Sequence, residues 1–119
     1  MTIRRAAIEA LKSTHKQHRM GAVVVKGGRV LSTGYNTMQP SARLGTNTRH
    51  AEAHAILKLL KEGRLHSLAG ADLYVTRFTR GGSVGLSRPC SACAELARSV
   101  GVSRVFYSTG ISTEVMELQ

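Results

Sequence analysis

The spacing of apolar residues first predicts a helix and then a pair of strands. Apolar positions in residues 3–17 recur at helical spacing, which predicts an amphipathic helix. These positions are Ile3, Ala7, Ile8 and Leu11. Residues 21–35 contain a valine run, a Gly-Gly pair and a second apolar run. That pattern predicts a two-stranded hairpin.

Helical and strand patterns alternate through the rest of the chain. The predicted elements are a helix over residues 50–63, a buried strand over 71–78, a helix over 90–101 and a strand over 103–109. Residues 40–49 and 79–88 are predicted to be loops. This order predicts an α/β protein in which helices are layered on one sheet.

The C-terminal segment settles one point of topology. Residues 113–118 have a strand pattern and follow the previous strand after only a few residues. A parallel return needs a crossover of about a dozen residues or more. A strand in this segment must therefore pair antiparallel with the one before it.

The length and composition are those of a small globular protein. We expect the 119 residues, of which 42% are hydrophobic, to form a single domain over 1–119. The N-terminal residues mix apolar and basic side chains and contain no uninterrupted apolar block. We therefore expect neither a signal peptide nor a membrane span, and a cytoplasmic location.

The charge balance points to phosphate-bearing partners. Seventeen Lys and Arg residues oppose seven Asp and Glu residues, which gives a formal net charge of +10. Such a surface favours nucleotides or nucleic acid without choosing between them. A basic surface that only faces water is the alternative.

Two histidines and two cysteines have the spacing of metal ligands. His50 and His54 lie four residues apart in a predicted helix, and Cys90 and Cys93 form a Cys-x-x-Cys pair. All four residues would make a closed structural zinc site. One histidine with the two cysteines would instead leave the fourth position open, as a catalytic zinc requires. A redox pair is less favoured, because the cysteines lack a thioredoxin-like aromatic context.

Glu52 separates the two interpretations. It lies two residues after His50, and a His-x-Glu followed by Pro-Cys-x-x-Cys is the pattern of zinc deaminases. A structural zinc site has no need of this carboxylate, whereas a catalytic site needs a group that moves protons. Both cysteines would lie at a helix N-terminus, which is expected to lower the pKa of their thiols.

The segments HAE at 50–52, PCSAC at 89–93 and STGYN at 32–36 together resemble the cytidine and deoxycytidylate deaminase superfamily. The resemblance spans roughly residues 20–108 and suggests a small, single-domain member of phage or bacterial type. It implies a three-layer α/β/α fold with a mixed sheet of about five strands, the last strand being antiparallel.

The resemblance also implies roles for individual residues. Zinc (Zn²⁺) would be held by His50, Cys90 and Cys93, and Glu52 would move protons during catalysis. Substrate would be contacted by the side chain of Asn36 and the backbone amide of Ala51.

Three departures from the family pattern affect the choice of substrate. The hairpin-like tail differs from tRNA adenosine and deoxycytidylate deaminases, which carry a helix before a parallel last strand, and favours the cytidine deaminase branch. Deoxycytidylate deaminases typically carry Asn at the position of His54, so that feature of nucleotide binding does not transfer. Residues 79–88 are inserted where many relatives pass almost directly from a strand to Pro-Cys. Phosphate binding by arginines in and beside this insertion is one interpretation, and solvated side chains are the other. These arginines are Arg77, Arg80 and Arg88.

Three classes of function remain. The favoured one is hydrolytic deamination of a cytosine nucleoside or nucleotide, with deoxycytidine monophosphate preferred because of the basic insertion. Deamination of a base within nucleic acid is less favoured, because the chain has no Trp, two Phe and three Tyr to hold an unstacked base. A non-enzymatic zinc module leaves Glu52 unexplained. We further expect a small-molecule substrate, no membrane partner and a homo-oligomer.

Overall fold

The structure is a computed structural model that describes residues 2–13, 18–38 and 48–119. Most of the predicted loop at 40–49 therefore lies outside the described residues. The helices are α1 (Thr2–Ala10), α2 (Ala51–Lys61) and α3 (Ser91–Ser99), with a short 3-10 helix at Leu65–Leu68. The strands are β1 (His18–Lys26), β2 (Arg29–Tyr35), β3 (Thr37–Met38), β4 (Thr48–Arg49), β5 (Asp72–Thr79), β6 (Val84–Gly85), β7 (Arg104–Ser108) and β8 (Thr113–Glu117).

The main sheet is mixed, as predicted. Its strand order is β2-β1-β5-β7-β8, and β6 pairs with β5 beside this path. Among the described strands, only β5 and β7 pair in parallel, and α3 lies in the connection between them. The hairpin of β1 and β2 turns at Gly27 and Gly28, both with positive φ. The last strand pairs antiparallel with β7, which confirms the topology expected from the short connection.

Helices cover both faces of the sheet, which gives the three-layer α/β/α arrangement. On one face, Ala22 and Val24 of β1 pack with Ala55 and Ile56 of α2 in the larger core cluster. On the other face, Val23 of β1 packs against α1 in a smaller cluster. Alternate residues of one strand thus serve the two layers.

The helices approach the sheet closely at two glycines. A Cβ at Gly34 of β2 would lie 2.5 Å from both the carbonyl oxygen of Ala51 and the backbone nitrogen of Ala55. A Cβ at Gly21 of β1 would collide with the backbone of Ala6 and Ala10 in α1. These contacts bring the start of α2 directly onto β2, which fixes the position of the residues around His50.

Two of the predicted elements differ from the structure. The first helix ends at Ala10, and its buried face carries Ala6 and Ala10, while Ile8 and Leu11 are 52% and 59% exposed. Ala6 and Ala10 lie where α1 approaches Gly21 of β1 most closely, and only small side chains fit at that point. Residues 79–88, predicted to be a loop, contain strand β6, which folds back on β5.

Candidate functional site

Two helix N-termini bring the candidate metal ligands together. His50 is the N-cap of α2, and Cys90 is the N-cap of α3; both have extended backbone angles. Strand β4 leads directly into His50, and the buried Pro89 leads into Cys90. Cys93 lies in the first turn of α3 and is buried.

The three side chains converge on one point. The Nδ1 atom of His50 lies 3.2 Å from Sγ of Cys93 and 3.7 Å from Sγ of Cys90. All three ligand atoms lie within 4.8 Å of one another, and they form the one metal-ligand group found among the described residues. Ligands on a tetrahedral zinc are separated by roughly 3.3–3.8 Å, given bonds of about 2.0 Å to nitrogen and 2.3 Å to sulfur. The donor set and its spacing therefore fit zinc.

The electrostatics of Cys93 differ from the expectation based on the helix end. Burial raises the pKa of this thiol, and the charges of Glu52 and Cys90 raise it further. The partial positive charge of a helix terminus does not offset these effects. A cation at the ligand group would favour the thiolate form, because opposite charge stabilises it.

Glu52 lies in the first turn of α2 and is only 2% exposed. Burial raises the pKa of its carboxyl group, and a hydrogen bond from its own backbone amide and the charge of His50 oppose this shift. Its Oε1 atom has no hydrogen-bond partner among the residues that the structure describes. A buried carboxylate oxygen without a partner is costly in a stable fold, so it indicates a functional contact.

His54 is one helical turn further along α2 and faces the sheet instead of the cysteines. The backbone amide of Tyr35 donates a hydrogen bond to its Nδ1 atom at 3.1 Å. Its ring also makes an edge contact with the Tyr35 ring, with centroids 5.0 Å apart. The ligand group described above does not include it. The geometry therefore favours the open three-ligand site over the closed four-ligand alternative.

Asn36 and Ala51 occupy the ends of the elements next to the ligand group. Asn36 follows β2 directly and is buried, and its Oδ1 atom accepts a hydrogen bond of 2.8 Å from the Met20 amide. Ala51 is the first residue of α2 and is fully buried. The first amides of a helix have no acceptor within the helix, so they can donate to a ligand.

The three arginines in and beside residues 79–88 have different surroundings. Arg77 is partly buried, and its guanidinium donates to the carbonyl oxygen of Leu86 at 3.3 Å. Arg80 is exposed at the turn of the β5–β6 hairpin. Arg88 is exposed, and its guanidinium lies 5.9 Å from the centre of the Tyr107 ring. The three arginines thus lie at different places, on β5, at the hairpin turn and just before Cys90.

Sequence reasoning missed two buried serines near the ligand group. Ser87 and Ser108 are 1% and 3% exposed, and their hydroxyl oxygens lie 2.9 Å apart. Serine is a common surface residue, and nothing in the local pattern marks these two. Only the pairing of β6 with β5, which the loop prediction omitted, brings them together.

Comparison with known proteins identifies the family. Residues 1–109 match the family described as the cytidine and deoxycytidylate deaminase zinc-binding region. The deoxycytidylate deaminase of Mycobacterium phage D29 is 33% identical over an alignment of 126 residues. The alignment covers 86% of this chain and 87% of the relative.

Solved structures show the same fold. The dCMP deaminase of cyanophage S-TIM5 in apo form has a TM-score of 0.67 and 28% identity, covering 87% of this chain and 76% of that one. The same cyanophage enzyme has been solved in complex with dCMP and dUMP. The cytidine deaminase of Burkholderia pseudomallei has a TM-score of 0.75 and 23% identity, covering 98% of this chain and 90% of that one. With a matching zinc-binding region over most of its length and a ligand group that fits zinc, the chain belongs to the cytidine and deoxycytidylate deaminase family and is a zinc-dependent deaminase.

Proposed function

We propose that the chain hydrolyses the exocyclic amine of deoxycytidine monophosphate to give deoxyuridine monophosphate and ammonia. The observation that carries the proposal is the convergence of His50, Cys90 and Cys93 beside the buried carboxylate of Glu52. The choice of a nucleotide is supported by the phage deoxycytidylate deaminase, whose similarity extends over most of both chains.

The chemistry divides between the metal and the protein. His50, Cys90 and Cys93 would hold zinc, which would supply a Lewis acid that activates water for attack on the ring. Glu52 takes a proton at its carboxylate, gives it to the ring nitrogen and then assists the departing amine. In the balanced reaction, a C–O bond forms at the ring carbon, the C–N bond breaks and ammonia leaves. Burial of Glu52 favours its protonated form, which suits a group that must hold a proton between steps.

Binding of the nucleoside is assigned to Asn36 and Ala51. The Oδ1 atom of Asn36 accepts a hydrogen bond from the Met20 amide, which would orient the Asn36 side chain for its contact with substrate. The backbone amide of Ala51, at the start of α2, would donate to the carbonyl oxygen of the pyrimidine. Both residues are buried, which would hold the base in one orientation.

Binding of the 5′-phosphate is assigned to the arginines in and beside residues 79–88. Arg88 is the main candidate, because it is exposed and lies two residues before Cys90. Arg80 at the hairpin turn would also contact the phosphate. Arg77 would contribute a further positive charge, while its guanidinium donates a hydrogen bond to the carbonyl oxygen of Leu86. A guanidinium binds phosphate through two parallel hydrogen bonds.

The location and assembly belong to the same proposal. We infer a cytoplasmic enzyme that works as a homo-oligomer on a small-molecule substrate. None of the helices in the described parts of the chain is long and apolar enough to cross a membrane.

A substrate panel tests the proposal. The zinc-loaded protein would be incubated with deoxycytidine, deoxycytidine monophosphate, cytidine and a short cytosine-bearing single strand, and ammonia release would be measured across a salt series. We expect the monophosphate to be preferred, with a mild effect of salt. Activity on the strand alone, with an affinity for the strand that falls by roughly 0.7 log units per log unit of salt for each phosphate contacted, would overturn the assignment.

A variant of the loop sharpens the same experiment. Arg88→Ala should weaken binding of the monophosphate relative to binding of the nucleoside by about 1.5–3 kcal/mol, which is the value of a charge-assisted contact. Arg29→Ala is the matched control, since Arg29 is an exposed arginine at the start of β2. Equal effects of the two variants would remove Arg88 from the phosphate site.

A further inference from the structure

The junction between the inserted hairpin and the metal-ligand segment has an unusual arrangement. Strands β5 and β7 are paired in parallel from Asp72 to Val75. Beyond Val75, residues 84–86 lie between the two strands and pair with both of them. Gly85 pairs with Arg77 of β5, and Leu86 forms a bridge with Thr109 after β7. The returning chain thus enters the sheet where the two parallel strands separate.

The hydroxyl of Ser87 connects the two separating strands. It donates a hydrogen bond of 2.7 Å to the carbonyl oxygen of Val75 in β5. It accepts one of 2.7 Å from the amide of Ser108 in β7. The Ser87 amide also donates to the carbonyl oxygen of Ser108 at 2.8 Å. Side chain and backbone of one residue therefore satisfy backbone groups that a continuous ladder would otherwise have paired.

Ser108 holds the same junction from the other side. Its hydroxyl donates to the carbonyl oxygen of Gly85 at 2.7 Å and accepts from the Arg77 amide at 3.3 Å. Because both serines are almost fully buried, water cannot replace these hydrogen bonds without opening the sheet. The pair is a closed polar network inside the sheet.

Only two residues separate this network from the first cysteine. Ser87 is followed by Arg88, the buried Pro89 and then Cys90, the N-cap of α3. The proline ring restricts φ at its position, so the short segment has little freedom between its two fixed ends. Only Arg88 and Pro89 are therefore available to absorb a displacement of Ser87 before it reaches Cys90.

We propose that Ser87 and Ser108 are positioning residues for the zinc site. They lock the end of residues 79–88 into the sheet, so that Cys90 and Cys93 keep their places after this ten-residue segment. This inference rests on the proposed role of the cysteines as zinc ligands. It does not depend on which cytosine compound is the substrate.

The test measures zinc affinity by competition with a chromophoric chelator, without any substrate. Ser87→Ala would leave the Ser108 amide and the Val75 carbonyl without their partner in a buried place. We expect a loss of about tenfold in zinc affinity, at the lower end of the range seen when residues that support metal ligands are removed. Ser108→Ala keeps the two bonds of the Ser87 side chain to backbone and should lose less.

Thr76→Val provides the matched control. Thr76 is also buried, and its hydroxyl donates a hydrogen bond of 2.9 Å to the carbonyl oxygen of Ile3 on the α1 face of the sheet. This variant should lose a similar amount of stability in urea while its zinc affinity stays within about twofold of the original protein, because Thr76 supports no ligand. Equal zinc affinity for Ser87→Ala and Thr76→Val would overturn the proposal.

Two further outcomes have defined meanings. If Ser87→Ala does not fold, Ser108→Ala carries the test, and zinc affinity equal to that of the control would count against the proposal. If the original protein binds zinc and the serine variants bind it weakly, the inference holds even where deoxycytidine monophosphate is not turned over. Absence of turnover of deoxycytidine monophosphate would overturn the proposed substrate and leave the role of the two serines unaffected.

Discussion

Two glutamates, Glu9 and Glu52, are equally buried in this protein but differ in their partners. Each is 2% exposed, one in α1 and the other in α2, on opposite faces of the sheet. Glu9 forms ion pairs with Lys12 at 3.0 Å and with Arg5 at 3.8 Å. Glu52 has an oxygen atom with no partner among the described residues. Burial alone therefore does not distinguish the two carboxylates, whereas the missing partner and the nearby metal-ligand group support the proposed catalytic role of Glu52.

The largest effect should be on turnover. Glu52→Ala should keep its fold and zinc but lose activity by more than the roughly 10²- to 10⁴-fold typical of general acid–base catalysis, because activation of water fails as well. Glu9→Gln is the matched control and should keep activity within about threefold, since a residue far from the chemistry affects mainly stability. Ammonia release and zinc content decide the matter, and an active Glu52→Ala enzyme would refute the mechanism.

The next effect concerns the metal beside Glu52. Cys90→Ser should lose most of its bound zinc, whereas His54→Ala should retain about one zinc per chain, as expected for a site with three protein ligands. Metal analysis of both purified variants, with circular dichroism to verify the fold, provides the measurement. Loss of zinc from a folded His54→Ala protein would instead support the interpretation as a closed site with four protein ligands.

The third effect is on stability and belongs to Glu9. Glu9→Ala should lower the free energy of unfolding by about 1–2 kcal/mol, because a buried charge-assisted hydrogen bond is lost but its partner Lys12 is half exposed and screened by water. Urea denaturation at neutral pH measures the change. An unchanged midpoint would show that the Lys12 contact contributes nothing.

The smallest effect is a dependence of stability on pH in the zinc-free protein. Because burial raises the pKa of Glu52 in the folded state, the unfolded chain loses this proton first as pH rises above the ordinary value of 4.5. The group therefore destabilises the fold at higher pH, and Glu52→Gln should be the more stable form there. The difference should vanish below pH 4.5. Urea denaturation of both proteins across this range, with zinc removed by a chelator, gives the comparison.

The sequence predicted most elements of the fold, because their signals are local. The valine run with Gly27 and Gly28 predicted the first hairpin, and the short connection before residue 113 predicted an antiparallel last strand. The inaccurate features depend on tertiary contacts. Helix α1 buries alanines because of its close approach to Gly21, and periodicity cannot show how near a helix lies to a sheet.

The candidate site was predictable where chemistry demands particular residue types. The His-x-Glu and Pro-Cys-x-x-Cys segments identified the residues that the structure brings together. The raised pKa of the Cys93 thiol was not foreseen, because it depends on burial and on the nearby Glu52. Ser87 and Ser108 were missed for a similar reason, since their importance follows from strand β6.

The closed ladder of the β5–β6 hairpin makes its tip a suitable place for added chain. Thr79 and Ser83 are joined by a backbone hydrogen bond of 2.8 Å, and Gly82 has a φ of 87°. Doubling the length of a flexible loop costs only about 0.6 kcal/mol of closure entropy. A peptide tag placed between Gly81 and Gly82 would therefore leave the cysteine segment in register, so the hairpin offers an attachment point for labels that report on the neighbouring site.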